Sequence, residues 1–166
     1  MNQAISKALR QEQHFVVIYL DLDGFKKIND THGHKVGDQL LKAITLRMKS
    51  VVREYDTIAR VGGDEFVIIL NDVKTLSMAV PLLERLLTYV GTPVSIDEIV
   101  LNVSASIGVT CYPQEREVSA DHLLHQADQA MYRAKYLGKN QYCVYDQDQD
   151  RERPDPGNRR GKGIVI

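Results

Sequence analysis

Three stretches of this chain gather carboxylates, lysines and glycines at spacings that could do chemistry. The first is Asp21-Leu22-Asp23, with Phe25-Lys26-Lys27-Ile28-Asn29-Asp30 immediately after it. The second is Gly33-His34 with Gly37-Asp38, and the third is Gly62-Gly63-Asp64-Glu65-Phe66. The first acidic pair lies where an apolar run stops. An unpaired charge at the end of a buried strand is costly, so such carboxylates need a cation or solvent. Asp21 and Asp64 together suit Mg²⁺, a hard ion that takes oxygen ligands and is commonly shared with substrate phosphates. The plainer role for each is a turn-forming or capping Asp, and spacing alone favours it. His14, His32, His34, His122 and His125 form no zinc pattern and read as surface or packing residues. No GxxxxGK[ST] string is present, so a phosphate site here is not a Walker loop.

The elements that must position these groups follow from hydrophobic periodicity. Ala4, Ile5, Ala8 and Leu9 repeat at helical spacing. Phe15–Leu20 is nearly all apolar, which predicts a strand covered on both faces that delivers Asp21 and Asp23 at its end. From Val36, apolar residues at Leu40, Leu41, Ile44, Met48, Val51 and Val52 predict a helix. Thr57–Val61 and Glu65–Leu70 read as a hairpin around Gly62-Gly63, where glycine accepts positive φ without penalty. A helix follows over Leu76–Val90, ended by Gly91 and Pro93; Pro81 inside it predicts a late start or a kink. Leu101–Thr110 reads as a strand, and a last helix runs from a Ser119 cap to Leu137, with Gly138 ending it. Gln141–Tyr145 supplies a closing strand. Residues 147–166 are charged and rich in Pro and Gly, which predicts a disordered tail beyond a single domain over 1–146. The element order predicts one α+β or α/β sandwich around a sheet.

Composition narrows the function classes. The 166 residues are 43% hydrophobic and 26% charged, an ordinary globular balance. Lys and Arg total 21 against 22 Asp and Glu, which argues against a protein that coats a nucleic acid polymer. Cys111 and Cys143 are too few and wrongly spaced for a disulfide framework or a CxxC site, and read as free thiols of a cytoplasmic domain. No apolar run approaches the roughly 20 residues that span a bilayer, although a membrane-anchored parent with this domain inside the cell fits equally well.

Four stretches in register carry a resemblance. The run Asp21 to Asp30 with Gly33-His34 and Gly37-Asp38 resembles the first signature of the GGDEF family of bacterial diguanylate cyclases. Gly62-Gly63-Asp64-Glu65-Phe66 is similar to that family's name motif without a change. Val103-Ser104-Ala105-Ser106-Ile107-Gly108-Val109 resembles its later strand. Ala127 to Lys135 with Gly138-Lys139-Asn140 resembles its C-terminal signature. The likeness runs from about residue 15 to 145.

The resemblance implies an α+β domain with a ferredoxin-like, polymerase-palm-like mixed sheet flanked by helices. It implies condensation of two GTP into cyclic di-GMP and pyrophosphate, with two Mg²⁺ (or Mn²⁺) per GTP half-site. Asp21, Asp64 and the Leu22 carbonyl match the metal ligands. Asp64, Glu65 and Lys26 match the catalytic groups, with Glu65 either touching metal or helping to remove the 3′-hydroxyl proton. Asn29 and Asp38 match the guanine readers; Lys26, Lys135 and Lys139 match the basic residues around the phosphates; Gly62 and Gly63 let phosphate approach the backbone. Phe25 and Phe66 are expected in the core. Arg53-Glu54-Tyr55-Asp56 fits an RxxD site at which cyclic di-GMP inhibits, with Arg60 assisting. Each domain offers one half-site, so a homodimer is implied, together with an upstream sensory or regulatory domain in a parent protein. The family's usual opening segment, resembling DxLTGLxNR, is not matched ahead of Phe15, so low activity is expected of the isolated chain. A catalytically silent module that binds GTP or cyclic di-GMP as a signalling receptor is the alternative.

Overall fold

The nine residues Phe15–Asp23 form β1, the central strand of the sheet, in a computed structural model that describes Ile5, Arg10 and residues 14–146. Its neighbours are β3 (Glu65–Asn71) and β6 (Ser104–Tyr112), both antiparallel to it. Strand β2 (Thr57–Arg60) adds antiparallel to β3, and β7 (Gln141–Val144) adds parallel to β6. The order is therefore β2-β3-β1-β6-β7, a mixed sheet. Four helices are described: α1 (Phe25–His32), α2 (His34–Val51), α3 (Leu76–Gly91) and α4 (Ala120–Tyr136). The α+β reading holds.

Side chains alternate across a strand, and this sorts the two faces. Val16, Ile18, Leu20 and Leu22 point to the core shared with α2 (Leu40, Ile44, Met48) and α3 (Leu83, Leu86, Val90). Phe15 and Val17 point the other way, onto Ala120, Leu123 and Ala127 of α4 and onto Ile5. Both faces of β1 are thus covered, as its composition predicts. Asp21 and Asp23 continue the second set, so they emerge on the α4 side, where that helix ends.

How closely α4 approaches the sheet is set by small residues. Ala127, Ala130 and Ala134 are fully buried. Opposite them in β6, a Cβ on Gly108 would stand 1.9 Å from the Ala127 carbonyl oxygen and 2.2 Å from the Met131 nitrogen. Only hydrogen fits there. The close contact brings the last turn of α4, with Lys135, to the end of β1.

Several expectations shift. Phe25–Asp30, to which the sequence assigned no element, lies in helix α1; Phe25 and Ile28, three apart, form its buried stripe. Gly33, with φ 84°, separates α1 from α2, which begins at His34 rather than Val36. Helix α3 starts at Leu76, not late, because Pro81 and Ser77 both lie exposed and the carbonyl left unbonded can meet water. The strand expected from Leu101 begins at Ser104. Leu101 belongs instead to β5 (Ile99–Leu101), which pairs with β4 (Val94–Ile96) around Asp97, held at φ 51°. Ser119 caps α4 as expected, accepting from the His122 N–H at 3.2 Å.

The N-terminal helix read from Ala4 to Leu9 lies outside the described residues apart from Ile5, which is helical and buried, and the tail at 147–166 lies wholly outside them. Cys111 and Cys143 are free thiols, and all five histidines are exposed. Among the described residues, no helix is long and apolar enough to cross a membrane.

Candidate functional site

The sheet register places two carboxylates face to face. Asp21 of β1 pairs directly with Glu65 of β3, on the same side as α4. Like charges opposite one another across an antiparallel pair repel. Lys135 answers one of them, its Nζ 2.6 Å from Asp21 Oδ2. Burial pushes the Asp21 carboxyl above its ordinary range; Lys135 pulls it back, and Asp64 and Asp23 push it up again. Glu65 is raised too, by burial first, then by Asp21, Asp128 and Asp64, with Lys135 opposing. Tyr19, two residues before Asp21, lies on the same face, and its hydroxyl is pushed far above its usual value by burial first, then by Glu65, Asp128 and Asp21.

The turn between β2 and β3 brings in Asp64. The Leu22 N–H donates to the Asp64 carbonyl at 3.1 Å, tying the turn to β1. Neither Gly62 nor Gly63 adopts a left-handed φ, contrary to the expectation for this hairpin. Glu65 folds back over Gly62, where a Cβ would lie 2.4 Å from its Oε2 and displace the carboxylate. Arg60 holds the turn from outside. Its Nε donates to the Gly62 and Gly63 carbonyls at 3.1 Å each, and its Nη2 donates to Gly63 at 2.7 Å.

These groups open on one cleft of about 590 Å³, lined by Asp21, Leu22, Asp23, Gly24, Phe25, Lys26, Asn29, Gly63, Asp64, Glu65, Lys135 and Lys139. That size suits a small molecule. Phe25 and Phe66 pack in the core with 6% and 1% exposure, so Phe25 offers the cleft only an edge. Asn29 Oδ1 is buried and accepts no hydrogen bond. A buried acceptor without a donor costs free energy, and this oxygen packs against Gly37, in the space a Cβ there would take. Asp38 is exposed on α2 and does not line the cleft.

The cleft is chemically suited to a hard cation carried by a polyanion. Two desolvated carboxyls with raised proton affinity, Asp21 and Glu65, face each other beside Asp64. Among the described residues, no three carboxylate, His or Cys side chains form a ready-made metal cage, so a cation held here needs backbone and substrate oxygens as well.

Arg53 and Asp56 lie elsewhere, beside a separate cavity of about 550 Å³ that Lys49, Glu54 and Thr57 also line. Asp56 Oδ2 accepts from the Arg53 N–H at 2.9 Å, and its Oδ1 accepts from the Asn71 N–H at 3.0 Å, fastening the chain after α2 to the end of β3. The Arg53 guanidinium donates to the Tyr55 hydroxyl at 2.6 Å. Arg60, expected to assist these two, does not line their cavity and is bound to the glycine turn instead.

Sequence reasoning gave no role to Tyr19, Asp128, Asp23 or the Arg60 clamp. Period-two alternation from Asp21 and Glu65 would have pointed to Tyr19, which shares their face. The other three depend on α4 and the turn reaching the sheet, which no local pattern reveals.

Comparison with known proteins shows the family. A family model described as "Diguanylate cyclase, GGDEF domain" matches residues 1–141. The chain is 41% identical over 146 residues to the bifunctional diguanylate cyclase/cyclic di-GMP phosphodiesterase MucR of Pseudomonas aeruginosa, covering 88% of this chain and 21% of that protein. It is 39% identical over 129 residues to the cyclic di-GMP phosphodiesterase PdeR of Escherichia coli, covering 78% of this chain and 19% of PdeR. The chain thus spans about a fifth of the length of these curated relatives. The crystallised GGDEF domain of TpbB (YfiN) from Pseudomonas aeruginosa superposes with a TM-score of 0.82 at 32% identity, over 90% of this chain and 87% of that one.

Proposed function

Since the chain belongs to the GGDEF domain family, we propose that it is a diguanylate cyclase domain that joins two GTP into cyclic di-GMP. The observation that carries this reading is the single cleft shared by Asp21, Asp64, Glu65, Lys26, Asn29, Lys135 and Lys139. In this reading the 3′-oxygen of one GTP attacks the α-phosphorus of the other. The new O–P bond forms as the bond to the leaving pyrophosphate breaks, and the reciprocal attack closes the ring. Glu65, with its raised proton affinity, accepts the 3′-hydroxyl proton directly or through water. Lys26, Lys135 and Lys139 bind the triphosphate and offset its charge. Asp21, the Leu22 carbonyl and Asp64 would hold Mg²⁺ (or Mn²⁺), two ions per half-site, whose chemistry is to neutralise phosphate charge and polarise the α-phosphoryl group. One cleft binds one GTP, so two copies must face each other, in a C2 pair.

The Asn29 amide contacts the guanine edge in this reading, and Asp38, which lies outside the lining of the cleft, is the second guanine reader that the resemblance implies. Gly37 makes the Asn29 contact possible. A Cβ on Gly37 would stand 1.8 Å from Asn29 Oδ1 and 3.3 Å from Phe25 Cζ. Gly37→Ala is therefore expected to displace the Asn29 amide and weaken GTP binding about tenfold. Since Ala is the better helix former by roughly 1 kcal/mol, which offsets part of the cost of moving Asn29 and Phe25, melting is expected within a few degrees of the wild type. Calorimetric titration beside thermal denaturation checks both, and wild-type affinity in the variant would remove Asn29 from guanine recognition.

Arg53 and Asp56 form the product site in this reading, the exposed guanidinium forking onto phosphate or guanine. Loss of cyclic di-GMP binding in Arg53→Ala is the expected result, and undiminished inhibition of that variant would rule the site out.

The deciding experiment fuses the domain to a constitutive dimeriser and incubates it with GTP and Mg²⁺. Cyclic di-GMP and pyrophosphate are expected, with Asp64→Ala at least about a hundredfold slower. An enforced dimer that makes neither product sinks the enzyme reading. It would leave the chain a receptor for GTP or cyclic di-GMP, a reading favoured by one finding: PdeR, 39% identical, is named for phosphodiester hydrolysis.

A further inference from the structure

We propose that Asp23 is a positioning residue, locking the chain at Lys139-Asn140 in a left-handed turn that holds the Lys139 ammonium at the cleft. The inference rests on the GTP site proposed above. Asp23 ends β1 with 9% exposure. Its Oδ1 accepts from the Ser106 hydroxyl at 2.8 Å, and its Oδ2 accepts from the Ser104 hydroxyl at 2.8 Å and the Asn140 N–H at 3.3 Å. Both oxygens are thus engaged by β6 and by the loop after α4, whereas Asp21 is engaged by Lys135.

The loop needs such an anchor. Helix α4 ends in a Schellman arrangement, with the Lys139 N–H donating to the Ala134 carbonyl at 3.0 Å and the Gly138 N–H to Lys135 at 3.4 Å. Gly138 carries a φ of 121° at no steric cost, but Lys139 follows at 64° and Asn140 at 47°. Two successive side-chain-bearing residues in this region are unfavourable for L-amino acids. They persist where the surroundings over-determine them. The Asp23 carboxylate supplies that determination through a charge-assisted bond to the second of them. The turn leaves Lys139 lining the cleft and starts β7 in register beside β6. With both oxygens engaged by Ser104, Ser106 and Asn140, Asp23 acts on the cleft through Lys139.

The test pairs amide exchange by NMR with calorimetric titration of GTP, with and without Mg²⁺. The wild type is compared with Asp23→Ala, Asp23→Asn, Lys139→Ala and the double variant Asp23→Ala/Lys139→Ala. In Asp23→Ala, Asn140 exchange is expected to accelerate about tenfold, and GTP affinity to fall about tenfold, as in Lys139→Ala. The double variant is expected to bind no more weakly than Lys139→Ala alone. Asp23→Asn keeps one carbonyl acceptor for three donors and is expected to show both changes at smaller size; it decides the matter if Asp23→Ala does not fold. Unchanged Asn140 exchange, additive losses in the double variant, or a loss confined to Mg²⁺-containing buffer each overturn the proposal, the last by making Asp23 a metal ligand. A wild type that does not bind GTP counts against the proposed function alone, and the exchange measurement then decides the lock.

Discussion

Gly108→Ala is expected to lower the melting temperature by at least roughly 6–12 °C, a loss of about 3 kcal/mol or more. The new methyl has nowhere to go. It would meet the Ala127 carbonyl oxygen at 1.9 Å and the Met131 nitrogen at 2.2 Å, both backbone atoms of α4, so no side-chain rotation relieves the clash. The helix must lift or slide. Either movement opens the layer in which Ala127, Ala130 and Ala134 are fully buried, and draws Lys135 away from Asp21. Since domains of this size are stable by roughly 5–15 kcal/mol, part of the population survives at 25 °C. That surviving fraction is expected to bind GTP weakly, because the cleft has lost one wall. Urea and thermal denaturation measure the first effect and nucleotide titration the second. A variant that melts with the wild type would show that α4 moves freely on the sheet, contrary to the packing described.

The same contact shows what was readable in the sequence. The both-faced burial of β1, the α2 stripe, the capped α4 and the glycine hairpin were legible because each is a local pattern of burial or turn chemistry. So was the gathering of Asp21 and Asp64, which the resemblance implied as joint metal ligands, with Glu65 beside them. Helix α1 was hidden because its apolar stripe is only Phe25 and Ile28, set among Lys, Asn and Asp that read equally well as a loop. The β4–β5 hairpin was hidden because three-residue strands give too short an alternation, although Val94, Ile96, Ile99 and Leu101 do alternate. The role of Gly62 was misread for a different reason. Its backbone angle is not left-handed, and its close neighbour is Glu65, three residues on, folding back over it. Asp23 and Asp21 look interchangeable in sequence. Only the partners brought by β6 and the loop after α4 separate Asp23, whose oxygens accept hydrogen bonds there, from Asp21, which pairs with Lys135 and faces the cleft.

Glu65→Gln is expected to make the domain at least about a hundredfold less active and, in metal-free buffer, more stable. The two effects share one cause. Glu65 is directly opposite Asp21 and near Asp128 and Asp64, so its charge is unfavourable in the folded chain until a cation arrives. Glutamine keeps the length and shape of the side chain but removes the charge. Like charges across a strand pair cost up to about 1 kcal/mol, which corresponds to a rise of roughly 2–4 °C in melting temperature at pH 7. The pH dependence has a definite sign. Glu65 and Asp21 both bind protons more tightly folded than unfolded, so stability is greatest where both are protonated and falls as pH rises through their raised values. In EDTA, the wild type should therefore lose stability from the ordinary carboxylate range upward, and Glu65→Gln should show a shallower fall. Added Mg²⁺ should raise the melting temperature of the wild type more than that of the variant. A variant that melts below the wild type at pH 7 without metal would mean that the Glu65 carboxylate is held by favourable contacts outweighing the repulsion. An active variant would remove Glu65 from the chemistry and leave Asp21 and Asp64 to carry it.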